Sequence, residues 1–175
     1  GAQMMAFNYK PLEVQKEEYK LYKDKFIEHH GKAPRPLLLT DMCICDHNSD
    51  RAKENSKHIA NYLLSVLHHY DMMGDHFKNA KGYEAYGDAV DALRETGKDA
   101  MMQAYVDGQI WGTPDQMLKK FEDRKKEMGA TDCLMAFRFA GLPFEATQRS
   151  QKLFAEEVMP VLRSWAKEDA AEKAA

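Results

Sequence analysis

The sequence predicts a parallel α/β fold, and three consecutive stretches near its C-terminus carry that prediction. Trp111-Gly112-Thr113-Pro114-Asp115-Gln116 reads as a helix start. Thr113 can cap with its hydroxyl, Pro114 suits the first helical position, and Gln116 can reach back to the cap. Met117, Leu118, Phe121 and Met128 then follow with charged residues between them, and Gly129 ends the helix. Asp132 to Phe139 is a short apolar run suited to a buried parallel strand. A break follows at Gly141-Leu142-Pro143, and Phe154, Val158, Val161 and Trp165 mark one face of a second helix. Helix, strand and helix in this order are the repeat of a parallel α/β fold.

From the start of the chain, Gln3 to Phe7 reads as a first strand. Pro11 opens a helix with Leu12, Tyr19, Tyr22 and Phe26 on one apolar face, and Gly31 ends it. Pro34 and Pro36 mark the loop beyond. Pro36 to Asp46 is the second strand, apolar on both faces, as a strand covered on both sides must be. Asp41 is its exception. A carboxylate there must find donors, titrate, or sit near an end.

Asp46-His47-Asn48-Ser49 is a turn and cap cluster, and the helix after it places Ala52, Ile59, Leu63, Val66, Leu67 and Tyr70 on one face. His68 and His69 are adjacent and point to different helix faces. No histidine pair has the i, i+4 spacing with an acidic neighbour that a zinc helix needs, so no metal site is expected. His47 lies just past a strand end and reads as structural. From Met72 to Gln109 the glycines at 74, 82, 87, 97 and 108 break the chain into short pieces without a strand. This 72–109 stretch reads as an insertion, either a lid or a helical embellishment. Pro160 sits inside the last helix and should remove a hydrogen bond and bend it. Residues 166–175, alanine and charge only, should fray.

At 175 residues the chain is one domain by length and can bury a real core. The net charge of -3 gives no reason to expect nucleic acid. No apolar run approaches the ~20 residues of a membrane span, and the start lacks a secretory signal. Three cysteines, an odd number, suit a reducing cytoplasm. Cys43 and Cys45 share one strand face and read as packing residues. The eleven methionines, several of them in adjacent pairs, read as core filling before cavity lining.

Gly112-Thr113-Pro114-Asp115-Gln116, the Cys133 to Phe139 strand, the Ala140-Gly141 turn and Leu153-Phe154-Ala155-Glu156-Glu157-Val158-Met159-Pro160 follow one another in a set order. That order resembles the bacterial luciferase-like flavin monooxygenases, over about a third of the chain. Asp46-His47 and Gly82-Tyr83 resemble the family more loosely. The resemblance implies a partial (β/α)8 TIM-type barrel, residues 1–165 being its C-terminal half with strands six, seven and eight, since the family's enzymes are roughly twice this long. It also implies the reaction. Reduced FMN, supplied by a separate flavin reductase, activates O2 to oxidise an aldehyde or another small organic substrate. Some relatives use the deazaflavin F420 instead. By the same resemblance Phe7 and Asn8, at the end of the first strand, line the flavin ring. Asp41 is either a hydrogen-bonded structural carboxylate or a pocket residue, because barrel strands deliver side chains to the active site at their C-terminal ends. The 72–109 insertion falls where the family has a mobile segment over the flavin.

No nucleophile, base, phosphate cradle or G-x-G-x-x-G is recognisable, so no catalytic residue is assigned and tight flavin binding by this stretch alone is not expected. Two readings stand: an incomplete segment of a flavin-dependent monooxygenase, or a non-catalytic flavin-binding or oligomerising relative. Three strands cannot close a barrel of about eight. Open edges at Gln3–Phe7 and Asp132–Phe139 and an exposed interior face are therefore expected, and a homodimer to cover them.

Overall fold

The computed structural model describes residues 2–72, 74–83, 87, 90, 91, 95 and 97–172. Strand β2, Leu37–Cys45, is the hub of the sheet, and every other strand runs parallel to it. β1, Met5–Phe7, pairs along residues 38–40 of β2, and β3, Ile110–Gly112, along residues 43–45. β4, Thr131–Ala136, pairs along residues 37–42. The amides of Leu38 and Asp46 donate to Met4 and Gly112, and Thr40 accepts from Asn8. Even-numbered residues of β2 thus serve one edge, because backbone groups alternate along an extended strand. β1 and β3 therefore lie end to end on one edge and β4 takes the other.

The helices are α1 Leu12–His30, α2 Ser49–His69, α3 Lys98–Gly108, α4 Pro114–Met128, α5 Phe144–Leu153 and α6 Met159–Glu172, with a short 3₁₀ turn at Asp75–Asn79. None among the described residues is long and apolar enough to cross a membrane. Their ends follow local chemistry. Gly31 closes α1 in the left-handed conformation at φ 65°. Asn48 caps α2 by accepting from the Arg51 amide. Thr113 and Gln116 form a reciprocal capping box with Pro114 in the first turn of α4.

Both faces of β2 are covered at its upper end. Cys43 and Cys45 pack with Ile110, Met117, Phe121, Phe154 and Val158 beneath α4. Met42 and Ile44 pack with Ile59, Val106, Phe139 and Leu142 beneath α2 and α3. The interior-type face is thus closed above and open only lower down, where Met5, Phe7 and Leu134 are exposed. Leu134 lies on this open face, whereas Phe137 turns to the other side and meets Phe154 edge-on at 5.4 Å.

Four details differ from the sequence reading. A fourth strand, β3, is hidden in Ile110–Gly112, too short to show a strand period. The buried stripe of α2 is Ala52, Ser56, Ile59 and Leu67, while Tyr70 lies past the helix end and is exposed. Pro160 lies inside the last helical run as expected, but the lost hydrogen bond shows as a change of helix type before it. One π turn at Phe154–Val158 precedes it and takes up the missing hydrogen bond, the Met159 amide donating five residues back to Phe154. The alanine-rich end is helical through Glu172, where Asp169 pairs with Lys125 at 2.6 Å. Between residues 72 and 109, Val106 of α3 packs with Met42 and Ile44, and residues 73, 84–86, 88–89, 92–94 and 96 lie outside the described residues, as do 173–175 at the end.

Candidate functional site at the strand ends

Parallel strands deliver all their C-terminal ends to one side of the sheet. β1 stops opposite Thr40 and β3 begins opposite Cys43, which leaves a gap along one edge of β2. The side chain of Gln109 fills it. Its Oε1 accepts from the Met42 amide at 2.8 Å, and its Nε2 donates to the Asn8 carbonyl. Asn8 Nδ2 donates to Asp41 Oδ1 and to the Gly108 carbonyl, each at 2.7 Å, and Asn8 Oδ1 accepts from Gln15 Nε2 at 2.8 Å. Arg124 completes the set with two bonds of 2.7 Å, one to each oxygen of Asp41. Asp41 has no exposed surface, and Asn8, Gln15, Gln109 and Arg124 are all buried. Burial works against the Arg124 charge, yet the bonds and charge of Asp41 hold its pKa above the ordinary value.

This cluster brings two of the three expected site residues together. Asn8 and Asp41 are joined, and their polar groups are taken by one another and by Arg124, Gln15 and Gly108. Phe7 projects from the opposite face of β1 and is exposed. Beside it on that face lies Thr40, whose Oγ1 is buried with no partner among the described residues.

Sequence reasoning did not single out Gln15, Gln109 or Arg124. Two of them carried a signal. Gln15 stands on the apolar stripe Leu12, Tyr19, Tyr22 of α1, and Arg124 continues the stripe Met117, Phe121 of α4. A polar residue on an apolar stripe, in a chain with a carboxylate in an apolar strand, points to a buried partner.

Above the cluster, a cleft of about 580 Å³ opens between the starts of α2 and α4, with Ser49, Lys53, Trp111, Gln116 and Lys120 among its walls. Lys120 Nζ donates to the carbonyls of Gln109 at 2.7 Å and Asp107 at 3.0 Å, and lies 5.0 Å from the centre of the Trp111 ring. Burial pushes its pKa down to about 8, against the pull of Asp107 and Asp41. Asp46 takes two bonds of 2.6 Å from Arg51, and His47 lies 3.0 Å from Glu157. Burial raises Cys43 well above the ordinary thiol range and Cys45 to about 12, so both are inert thiols at neutral pH. The site offers donors, an aromatic face and a rigid polar floor.

No protein-family model matches this chain, and no curated protein matches its sequence. Its fold is similar to that of the monooxygenase RslO1 from Streptomyces bottropensis, with a TM-score of 0.61 and 17% identity over 91% of this chain and 42% of that one. It is similar in the same degree, TM-score 0.61 and 17% identity over 89% of this chain and 42% of that one, to a type II Baeyer-Villiger monooxygenase from Pseudomonas putida. That protein is the oxygenating constituent of 3,6-diketocamphane monooxygenase, solved in complex with FMN. This chain spans less than half the length of either. Four parallel strands with covering helices, aligned with these structures over about nine-tenths of this chain, give it the fold of a partial TIM-type barrel.

Proposed function

We propose that this chain is a stretch of a flavin-dependent luciferase-like monooxygenase, oxidising an aldehyde or other small organic substrate with O2, and that it does not turn over by itself. The observation that carries the reading is the fold shared with two monooxygenases, one of them bound to FMN. FMN is the proposed cofactor. When bound and reduced it supplies the oxygen activation, and a separate reductase supplies the reduced form.

The residues present fit a supporting role toward that group. Asn8, Asp41 and Arg124 hold the end of β1 rigid, which fixes where Phe7 presents its ring. Thr40, with its unpartnered Oγ1 beside Phe7, offers a hydrogen bond to a polar edge.

Titration of FMN with the purified chain tests the flavin part. The expected result is weak quenching of flavin fluorescence that Phe7→Ala diminishes; no quenching at millimolar chain would overturn it. Supplying reduced FMN, O2 and an aldehyde tests the rest. Substrate oxidation above the free-flavin background would show that the isolated chain is a complete enzyme and end the segment reading.

A further inference from the structure

Helix α3 ends without a left-handed glycine, and side chains from three other segments close it instead. Its last residue is Gly108, and Gln109 beyond it is extended at φ -83° and ψ 163°. The final carbonyls of a helix have no partner within it and need donors from outside. Trp111 Nε1 donates to the Val106 carbonyl at 2.8 Å and Asn8 Nδ2 to that of Gly108 at 2.7 Å. Lys120 Nζ serves both Asp107, at 3.0 Å, and Gln109, at 2.7 Å. An ammonium there also meets the negative end of the helix dipole.

Asn8 and Gln109 bond in both directions. Asn8 Nδ2 holds the Gly108 carbonyl, and Gln109 Nε2 holds the Asn8 carbonyl. Gln109 Oε1 accepts from the Met42 amide, and the Asn8 amide donates to Thr40 at 3.0 Å, so both residues are anchored on β2 as well. Asn8 is 8% exposed and Gln109 1%, so parting them leaves buried donors and acceptors without partners. Strand β1 has little else at this end, since only Met5, Ala6 and Phe7 pair with β2. We propose that Asn8 and Gln109 latch the end of α3 to the end of β1, so that the two open as one unit. Separate elements of a protein otherwise open independently, each with its own free energy. Through the latch, loosening α3 displaces Phe7, the residue before Asn8. This coupling goes beyond the flavin reading, and its test needs no flavin.

Residue-resolved hydrogen exchange by NMR tests this. In the wild type the Asn8 amide and those of residues 105–108 should be equally protected, and an Asn8 amide that exchanges faster than α3 overturns the proposal. Ala104→Gly weakens α3 at an exposed position and touches no latch residue. It should speed exchange about fivefold both at residues 105–108 and at Asn8, as a mid-helix glycine speeds the opening of its own helix. Amides of α6 should keep their wild-type rate. Acceleration confined to α3 overturns the proposal, and so does a uniform rise that includes α6, which marks unfolding of the whole chain. Gln109→Leu removes both side-chain bonds and should speed exchange at Asn8 and at residues 105–108 together, about tenfold or more. Acceleration at one of the two without the other again overturns it. Where Gln109→Leu fails to fold, Ala104→Gly decides.

Discussion

Arg124 and Asp41 meet through two parallel hydrogen bonds of 2.7 Å between a helix and the middle of the central strand, both groups out of contact with water. An ion pair in such a place is costly to break, because removing one partner strands the other charge in the interior. Asp41→Ala or Arg124→Met alone should each lose ~3–5 kcal/mol of unfolding free energy. Asp41→Leu combined with Arg124→Met should recover most of it. Urea denaturation of the two singles and the double decides the matter, and singles within about 1 kcal/mol of wild type would mean the pair is hydrated in solution.

The α4 capping box makes a second prediction. Thr113→Ala should lose ~1 kcal/mol and Thr113→Ser almost nothing. Gly112→Ala should lose more than either. Gly112 has φ 137°, a conformation that other residues avoid, and an added Cβ would stand 2.6 Å from Gln116 Oε1, which holds the other half of the box. Thermal unfolding that ranks Thr113→Ala below Gly112→Ala in stability would contradict this order.

Acid stability should depend on Asp46. Burial alone would raise its pKa, but the Arg51 bonds and the Asn48 amide outweigh it and bring the pKa below the ordinary value. The folded pKa is lower than the unfolded one, so the unfolded chain binds the proton more readily. The stabilisation is present above the unfolded carboxylate pKa, near 3.9, and is lost as pH falls through the lowered folded value. Asp46→Asn should therefore be less stable at neutral pH and show a shallower acid limb. Equal slopes for variant and wild type below pH 4 would rule this out.

Lys120 should titrate apart from the other lysines. Its folded pKa of about 8 lies below the ordinary 10.5, so between these values the unfolded state holds more protons and this group's contribution to stability rises with pH. Side-chain NMR of labelled lysine should show one amine titrating near 8, absent in Lys120→Met. If every lysine titrates above 10, water reaches this amine freely.

Much of the fold was legible along the chain because its signals are local. Gly31, Asn48, Thr113 with Gln116, and Gly129 each close or open a helix through their own backbone or side-chain chemistry. The apolar run of β2 announced a strand covered on both faces, and burial of Met42, Cys43, Ile44 and Cys45 agrees at its upper end, whereas lower down only the Leu37 and Leu39 face is covered. β3 escaped notice because three residues cannot display a period. The π turn escaped because Pro160 announces a missing donor, while the neighbouring packing chooses how the helix absorbs it.

The candidate site divides along the same line. Asp41 stood out in the sequence as a carboxylate with a debt of hydrogen bonds, and Phe7 and Asn8 stood at a strand end. What met those needs lay 7, 33, 83 and 101 residues away, in Gln15, between Asn8 and Asp41, in Arg124 and in Gln109. No local pattern encodes such distances; only the stacking of α1 and α4 on the sheet and the end-to-end placement of β1 and β3 bring them together. The sequence by itself determined where α1 stops, where α2 starts and where α4 starts and stops, and that a buried carboxylate needed partners, since capping and desolvation act within a few bonds of the residue. The tertiary structure alone decided which partners answered and which half of one sheet face stayed bare, since those outcomes depend on where distant elements come to rest.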